Sequence, residues 1–184
     1  MIKTEKYTSG PVGMLPNSRF PLLIHRSGIP GGVDVVLARF REHGWLNNWQ
    51  NAGVWDYGHF HSTTHECLGC ASGWMDVQVF GDNGPVVRIE AGDVIVMPAG
   101  VSHAMTGCSD DVLIVGGNPD GRDWDNLRQD HMSDADRIAA VKRIMMLPIP
   151  SKDPVSGDPI HEWIEAPSSG DAGLDDYRLA LDPA

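Results

Sequence analysis

The stretch from Gly58 to Gly73 reads G-H-F-H-S-T-T-H-E-C-L-G-C-A-S-G and gathers His59, His61, His65, Glu66, Cys67 and Cys70 within sixteen residues. Imidazole, carboxylate and thiolate are the side chains that ligate first-row metals, so metal binding is the first chemistry to weigh. Read as an extended strand, Trp55 to His61 puts Trp55, Tyr57, His59 and His61 on one face and Asp56, Gly58 and Phe60 on the other. Two imidazoles at that spacing stand about 7 Å apart at their Cα atoms and can converge on one ion.

A second strand is expected to begin at His65 or Glu66 after the Ser-Thr-Thr turn. Alternation from Glu66 places Leu68 and Cys70 on its side, with Cys67 and Gly69 opposite. His65 competes with Glu66 as a ligand, and alternation favours Glu66. In a strand Cys67 and Cys70 would have Cα atoms about 10 Å apart on opposite faces, beyond the roughly 7 Å that a disulfide spans. Both are therefore expected as small buried apolar residues. Further on, Gly92 to His103 reads as a buried strand, a Pro-Ala-Gly turn and one more histidine, which a barrel could bring to the same point.

The elements that must position these residues show in the punctuation of the chain. Arg19 to His25 is an apolar run suited to a strand, bounded by Gly28, Pro30, Gly31 and Gly32. Val35, Val36, Leu37, Ala38 and Phe40 follow as a helix with Asp34 near its start. From Gly53 to Val115 short alternating segments are separated by turn residues, and Asp82-Asn83-Gly84 marks a hairpin between Met75–Phe80 and Pro85–Ile89. Several short strands at such spacing indicate an all-β sandwich or barrel. Ser133 with Asp136 caps an amphipathic helix carrying Ile138, Val141 and Ile144, which Pro148 and Pro150 end. The remaining tail, rich in Pro, Gly, Asp and Ser, is expected as loop. His25, His43, His131 and His161 show no pairing by spacing.

The chain has 184 residues, enough for one sizeable core and too few to make a second independent one the expectation. Residues 1–50 are expected as an N-terminal strand and helix packing on a barrel, 51–118 as the barrel core, and 119–184 as a helix and irregular tail of the same domain. A formal net charge of -11, from 14 basic and 25 acidic residues, repels a phosphate backbone and argues against a nucleic-acid partner. No run of about 18 apolar residues offers a transmembrane helix, and the first ten residues lack the apolar stretch of a secretory signal. The expectation is a cytoplasmic protein, in which three cysteines are reduced thiols rather than a disulfide framework.

Two longer patterns carry a resemblance. Gly53, five residues, His59-x-His61, four residues, Glu66, six residues, Gly73 is similar to the first cupin motif. Gly92, five residues, Pro98-x-Gly100, two residues, His103 is similar to the second, with 18 residues between them. The second motif usually ends in Asn four residues past its histidine, where this chain has Gly107. Over residues 20 to 163, the segments F-P-L-L-I-H, H-G-W, N-P-D-G-R-D-W-D and L-P-I-P-S-K-D-P-V-S-G resemble the bacterial single-domain cupins of the YjlB type. The resemblance implies an all-β fold, a cupin jelly-roll β-barrel with a few flanking helices. It also implies one divalent metal ion per chain (Fe, Zn, Ni or Mn) held by His59, His61, Glu66 and His103, and a homodimer, with Arg19–His25 as the segment suspected of pairing.

Three imidazoles and a carboxylate leave one or two positions open on a five- or six-coordinate ion, which is what separates a catalytic site from a structural one. Trp55, Tyr57 and Leu68 are the candidates for pocket lining, and Asp120 to Asp125 could form a lid carrying Arg122. The expected function is that of a metal-dependent enzyme on a small molecule, dioxygenase-like oxidation first. The alternatives are a non-redox isomerase or lyase, in which the ion polarises a carbonyl, and a non-catalytic small-molecule binding protein.

Overall fold

The computed structural model describes residues 2–166. Among these residues nine strands are formed: β1 (Lys3–Ser9), β2 (Ser18–Arg26), β3 (Trp45–Asn51), β4 (Glu66–Ser72), β5 (Trp74–Val79), β6 (Val86–Glu90), β7 (Val94–Met97), β8 (His103–Cys108) and β9 (Leu113–Pro119). Helix α1 (Val33–Glu42) lies between β2 and β3, and α2 (Asp134–Met146) and α3 (His161–Ile164) follow the strands. The expected tail beyond residue 166 lies outside the described residues.

Period-two patterning decides what each strand buries. In β2, Leu22 and Ile24 face one way and Leu23 the other; in β4 Leu68 and Cys70 oppose Cys67; in β7 Ile95 and Met97 oppose Val94 and Val96. The first set joins Met75, Val77 and Val79 of β5 and Val87 and Ile89 of β6 in one core between two sheets. The second set forms a separate layer on the outer face, under Val36 and Phe40 of α1 and Trp163 of α3. Gly69 makes that approach possible, because a Cβ there would lie 2.6 Å from Val36 Cγ1. Cys67 and Cys70 are buried free thiols on opposite faces of β4.

The expected closed barrel is not what the strands make. They form a six-stranded antiparallel sheet in the order β1-β2-β7-β4-β9-β3 and a three-stranded one in the order β6-β5-β8, and among the described residues no ladder closes either on itself or joins them. The reason lies in residues 52–65, which the sequence reading expected to supply a strand over Trp55–His61. This segment makes only isolated bridges, His59 to His103 and Phe60 to Leu127. Its backbone groups are satisfied one at a time by different elements: Trp55 O accepts from Met105 N, Phe60 N donates to Leu127 O, and His61 O accepts from Gly100 N. Scattered partners satisfy a buried backbone as well as a ladder does, and the segment crosses the gap between the sheets without zipping them together.

Even without a ladder, side chains alternate around Phe60. That ring is fully buried with Leu15, Ala99, Ala140 and Ile144, and so seats α2 behind the histidines. The helix starts where expected, with Ser133 and Asp136 forming a reciprocal capping box. The Arg19–His25 run lies inside β2, which is paired on both sides, to β1 and β7. His25, unpaired by spacing, meets Asp153 Oδ2 at 2.9 Å through Nε2 and Thr4 Oγ1 at 2.9 Å through Nδ1, tying the chain after α2 to the sheet.

The turn before β8 allows a direct test. Gly100 adopts φ 92°, donates to His61 O at 2.8 Å, and would place a Cβ 2.2 Å from the Asn17 carbonyl oxygen. Gly100→Ala is expected to destabilise the fold by about 2 kcal/mol or more, as positive-φ strain adds to the backbone clash. A shift of the urea midpoint reads this directly, and an unchanged midpoint would contradict it.

Candidate metal centre

Three buried histidines from two places in the chain meet at one point. His59 and His61 come from the irregular segment, and His103 opens β8. His59 and His103 exchange both backbone hydrogen bonds, at 2.9 and 3.2 Å, which brings their ring centroids to 4.1 Å. One nitrogen of each of His59, His61 and His103 lies within 4.8 Å of the others. Two nitrogens about 2.1 Å from a shared ion stand at most about 4.2 Å apart, so a small inward movement lets all three bind.

Each ring is held the same way. Nδ1 of His59 faces Tyr57 O at 3.0 Å, Nδ1 of His103 faces Val101 O at 3.2 Å, and Nδ1 of His61 faces Asp125 O. A carbonyl only accepts, so Nδ1 carries a proton and, in the neutral ring, Nε2 is left with a free lone pair. Such outer bonds set the tautomer and orientation of a metal-binding imidazole.

Glu66, the first residue of β4, stands with two of the three rings. Its Oε2 lies 3.5 Å from His61 Nε2 and 3.5 Å from His103 Nε2, while the 4.8 Å grouping comprises the rings alone. Glu66 Oε2 and His103 Nε2 are buried without a hydrogen-bond partner. Leaving buried polar atoms unsatisfied is costly, and a cation between them satisfies both. The donor set therefore fits a divalent ion.

Electrostatics keeps most of the cluster neutral. Burial pushes the His59 ring down to about 4, and the charge His61 can carry works in the same direction. His103 is held well below the usual imidazole range by burial and by its two histidine neighbours. His61 goes the other way: burial opposes its charge, but the Glu66 carboxylate and the Asp125 carbonyl outweigh it and raise the ring above the ordinary 6.5.

His65 is turned away from the cluster. Its Nδ1 accepts from Ala99 N at 2.9 Å, its ring lies 4.8 Å from Trp163, and burial lowers its pKa to about 4.

A cavity of about 300 Å³ opens onto His59, His61, Glu66 and His103. Trp55 and Trp124 line it, with Trp49, Gln50, Asn51 and Val54 from the end of β3 and the loop beyond. Of the three residues expected to line a pocket, the structure brings Trp55 to the wall, edge-on to His59 at 4.7 Å. Tyr57 is not in the wall: it stacks on Trp55 from behind, and its hydroxyl accepts from Asn126 Nδ2 at 3.0 Å. Leu68 is fully buried in the core between the sheets. Arg122 is absent from the wall, and Trp124, two residues on, stands 5.7 Å from His61.

Sequence reasoning missed Asp125. Its carboxylate accepts from Ser62 N, Ser62 Oγ, Thr63 N and Thr63 Oγ1, and Arg143 of α2 lies 3.6 Å away, while its own carbonyl holds His61. The available signal was a tryptophan inside the otherwise polar run D-G-R-D-W-D, a place where an indole needs a reason to be.

Two antiparallel sheets, a few helices and a histidine cluster able to take a divalent ion define a cupin-like fold with a potential metal site. No family model matches the chain. A curated relative, "Uncharacterized protein YjlB" of Bacillus subtilis (strain 168), is 31% identical over 169 residues, covering 89% of this chain and 98% of its own. The chain belongs to the YjlB family of bacterial cupins.

Among solved structures, the acireductone dioxygenase from Bacillus anthracis with a cadmium ion in its active centre is 20% identical, covering 46% of this chain and 57% of its own at a TM-score of 0.34. RmlC from Streptococcus suis in complex with dTDP-D-xylose is 16% identical, covering 64% and 70% at a TM-score of 0.37. At these scores neither bears on the chemistry of this chain. Among the described residues no helix is long and apolar enough to cross a membrane.

The charge states make metal binding pH-dependent in a defined way. Ligation needs neutral imidazole, and in the range of pH 6 to 8 only His61 is held toward its cationic form, while His59 and His103 are already neutral. The affinity for zinc should rise with pH at a slope of no more than about one proton. Competition titrations against a chelator at several pH values measure it; a slope of two or three would overturn the assigned charge states.

Proposed function

We propose that this protein is a metal-dependent enzyme acting on a small molecule, with dioxygenase-type oxidation as its reaction and His59, His61, Glu66 and His103 as the ligands of one divalent ion. The observation that carries this reading is the pair of partnerless buried atoms, Glu66 Oε2 and His103 Nε2, beside two further imidazoles at the floor of a cavity. A structural ion has all its positions filled by protein, whereas this floor faces space that a small molecule can enter. When bound, such an ion supplies Lewis acidity and, if it is iron, an electron route to oxygen.

The chain's own residues do the rest. The three backbone carbonyls keep each Nε2 lone pair aimed inward, so little reorganisation is needed on loading. Glu66 offsets part of the charge of the ion. Trp55 and Trp124, in edge-to-face contact, give the cavity an apolar wall beside the histidines.

Elemental analysis of protein prepared without an affinity tag should find close to one equivalent of iron, and substrate screens should show oxygen uptake. His59→Ala and His103→Ala should each lower metal occupancy about tenfold or more while thermal melts still show a folded protein. Full occupancy in both variants would remove the ligand assignment. Zinc with substrate turnover and no oxygen uptake would replace oxidation with the non-redox reaction.

A further inference from the structure

The wall above the histidines is aromatic and carries no cation. Trp49, Trp55 and Trp124 contribute three indoles to one cavity of about 300 Å³. Trp55 and Trp124 meet edge to face at 5.4 Å and 66°, and both remain more than a third exposed, at 38% and 39%. Trp49 is fixed from behind: a Cβ on Gly116 would lie 2.0 Å from its ring, so the bare glycine of β9 is what lets the indole lie flat there.

Besides the histidines and Glu66, the polar residues that line it, Gln50 and Asn51, are uncharged. Among the described residues no lysine or arginine lines the cavity. Arg128 sits over the ring of Tyr57, 4.4 Å from its centroid, on the side chain that backs the wall rather than forms it. Among the described residues Glu66 is the one carboxylate in the lining, where it would offset part of the charge of a bound ion, and a chain charge of -11 disfavours the approach of an anionic ligand.

We propose that this cavity takes a neutral, flat, single-ring molecule, held between the indoles and directing oxygen substituents toward the histidine floor. The inference rests on the metal-site reading for the floor and on the tryptophans for the ring. About 300 Å³ is at the small end of small-molecule sites, equal to about ten waters, so one ring with a few substituents fills it. Indoles attract a flat π-system by offset stacking and edge contacts. A dianion would find no guanidinium in the wall and no use for the indoles, leaving the ion at the floor as its one attraction.

Catechol and oxalate make a pair of probes, since both can chelate an ion through two oxygens and they differ in charge and in the ring. Calorimetric titration at pH 7 of zinc-loaded protein, which avoids turnover, is expected to give at least about tenfold tighter binding of catechol. Trp124→Ala, on an exposed loop position, should weaken catechol about five- to tenfold and leave oxalate within about twofold. Gly116→Ala, which pushes Trp49 toward the cavity, should weaken catechol as well while the melting curve shows the fold retained.

Oxalate binding as tightly as catechol, or catechol binding indifferent to Trp124, would overturn the proposal. Metal content and oxygen uptake report separately on the enzymatic reading: Trp124-dependent catechol binding without oxygen uptake would sustain this inference and sink oxidation. If zinc does not load, the same titrations on metal-free protein still read the dependence on Trp124.

Discussion

One buried point, shared by three imidazoles and a carboxylate, constrains the rest of this structure. Glu66 Oε2 and His103 Nε2 have no hydrogen-bond partner there, and each histidine uses its other nitrogen on a backbone carbonyl. Polar groups taken out of water without partners destabilise a fold, so the surrounding elements have to hold this arrangement against its tendency to relax. The two apolar layers, one between the sheets and one under α1 and α3, supply that support. Burial of side chains such as Leu68, Ile95 and Phe40 is favourable by about 1.5–3 kcal/mol each.

Residues 52–65 stand at the junction between support and site. Because this segment pairs singly with Met105, Leu127, His103 and Gly100 instead of joining one sheet, it leaves an opening where a barrel would have had a wall. The same irregularity places Trp55 and the histidines around that opening. Asp125 clasps the far end of the segment at Ser62 and Thr63, Arg143 of α2 lies beside it, and its carbonyl orients His61. A change in α2 therefore reaches a ring at the floor of the cavity through two contacts, with Phe60 as the apolar half of the same link.

Much of this was legible in the residues. The strand over Arg19–His25, the helix carrying Val35 to Phe40, the hairpin at Asp82-Asn83-Gly84 and the cap at Ser133 all follow from local rules, in which turn chemistry and capping act over four or five residues. The spacing of His59, His61, Glu66 and His103 pointed to a shared site, and the structure brings the three histidines together with Glu66 beside two of them. Less legible were the closure of the sheets and the cavity wall. Alternation expected a strand over Trp55–His61, but whether an extended segment zips into a ladder depends on which partners lie across from it. Trp49, Trp124 and Asp125 carry no local signature of function, since each is defined by a neighbour dozens of residues away.

Order along the chain was thus enough for several of the elements and for the residue types of the candidate metal site, because those are set by periodicities of two and 3.6 and by short-range hydrogen bonds. Tertiary structure alone decided that the sheets stay two, that Leu68 and Tyr57 leave the wall to Trp49 and Trp124, and that His65 turns toward Trp163 while Glu66 turns inward. Those outcomes rest on packing between elements far apart in sequence, where a side chain's surroundings come from whichever segments the fold sets against it.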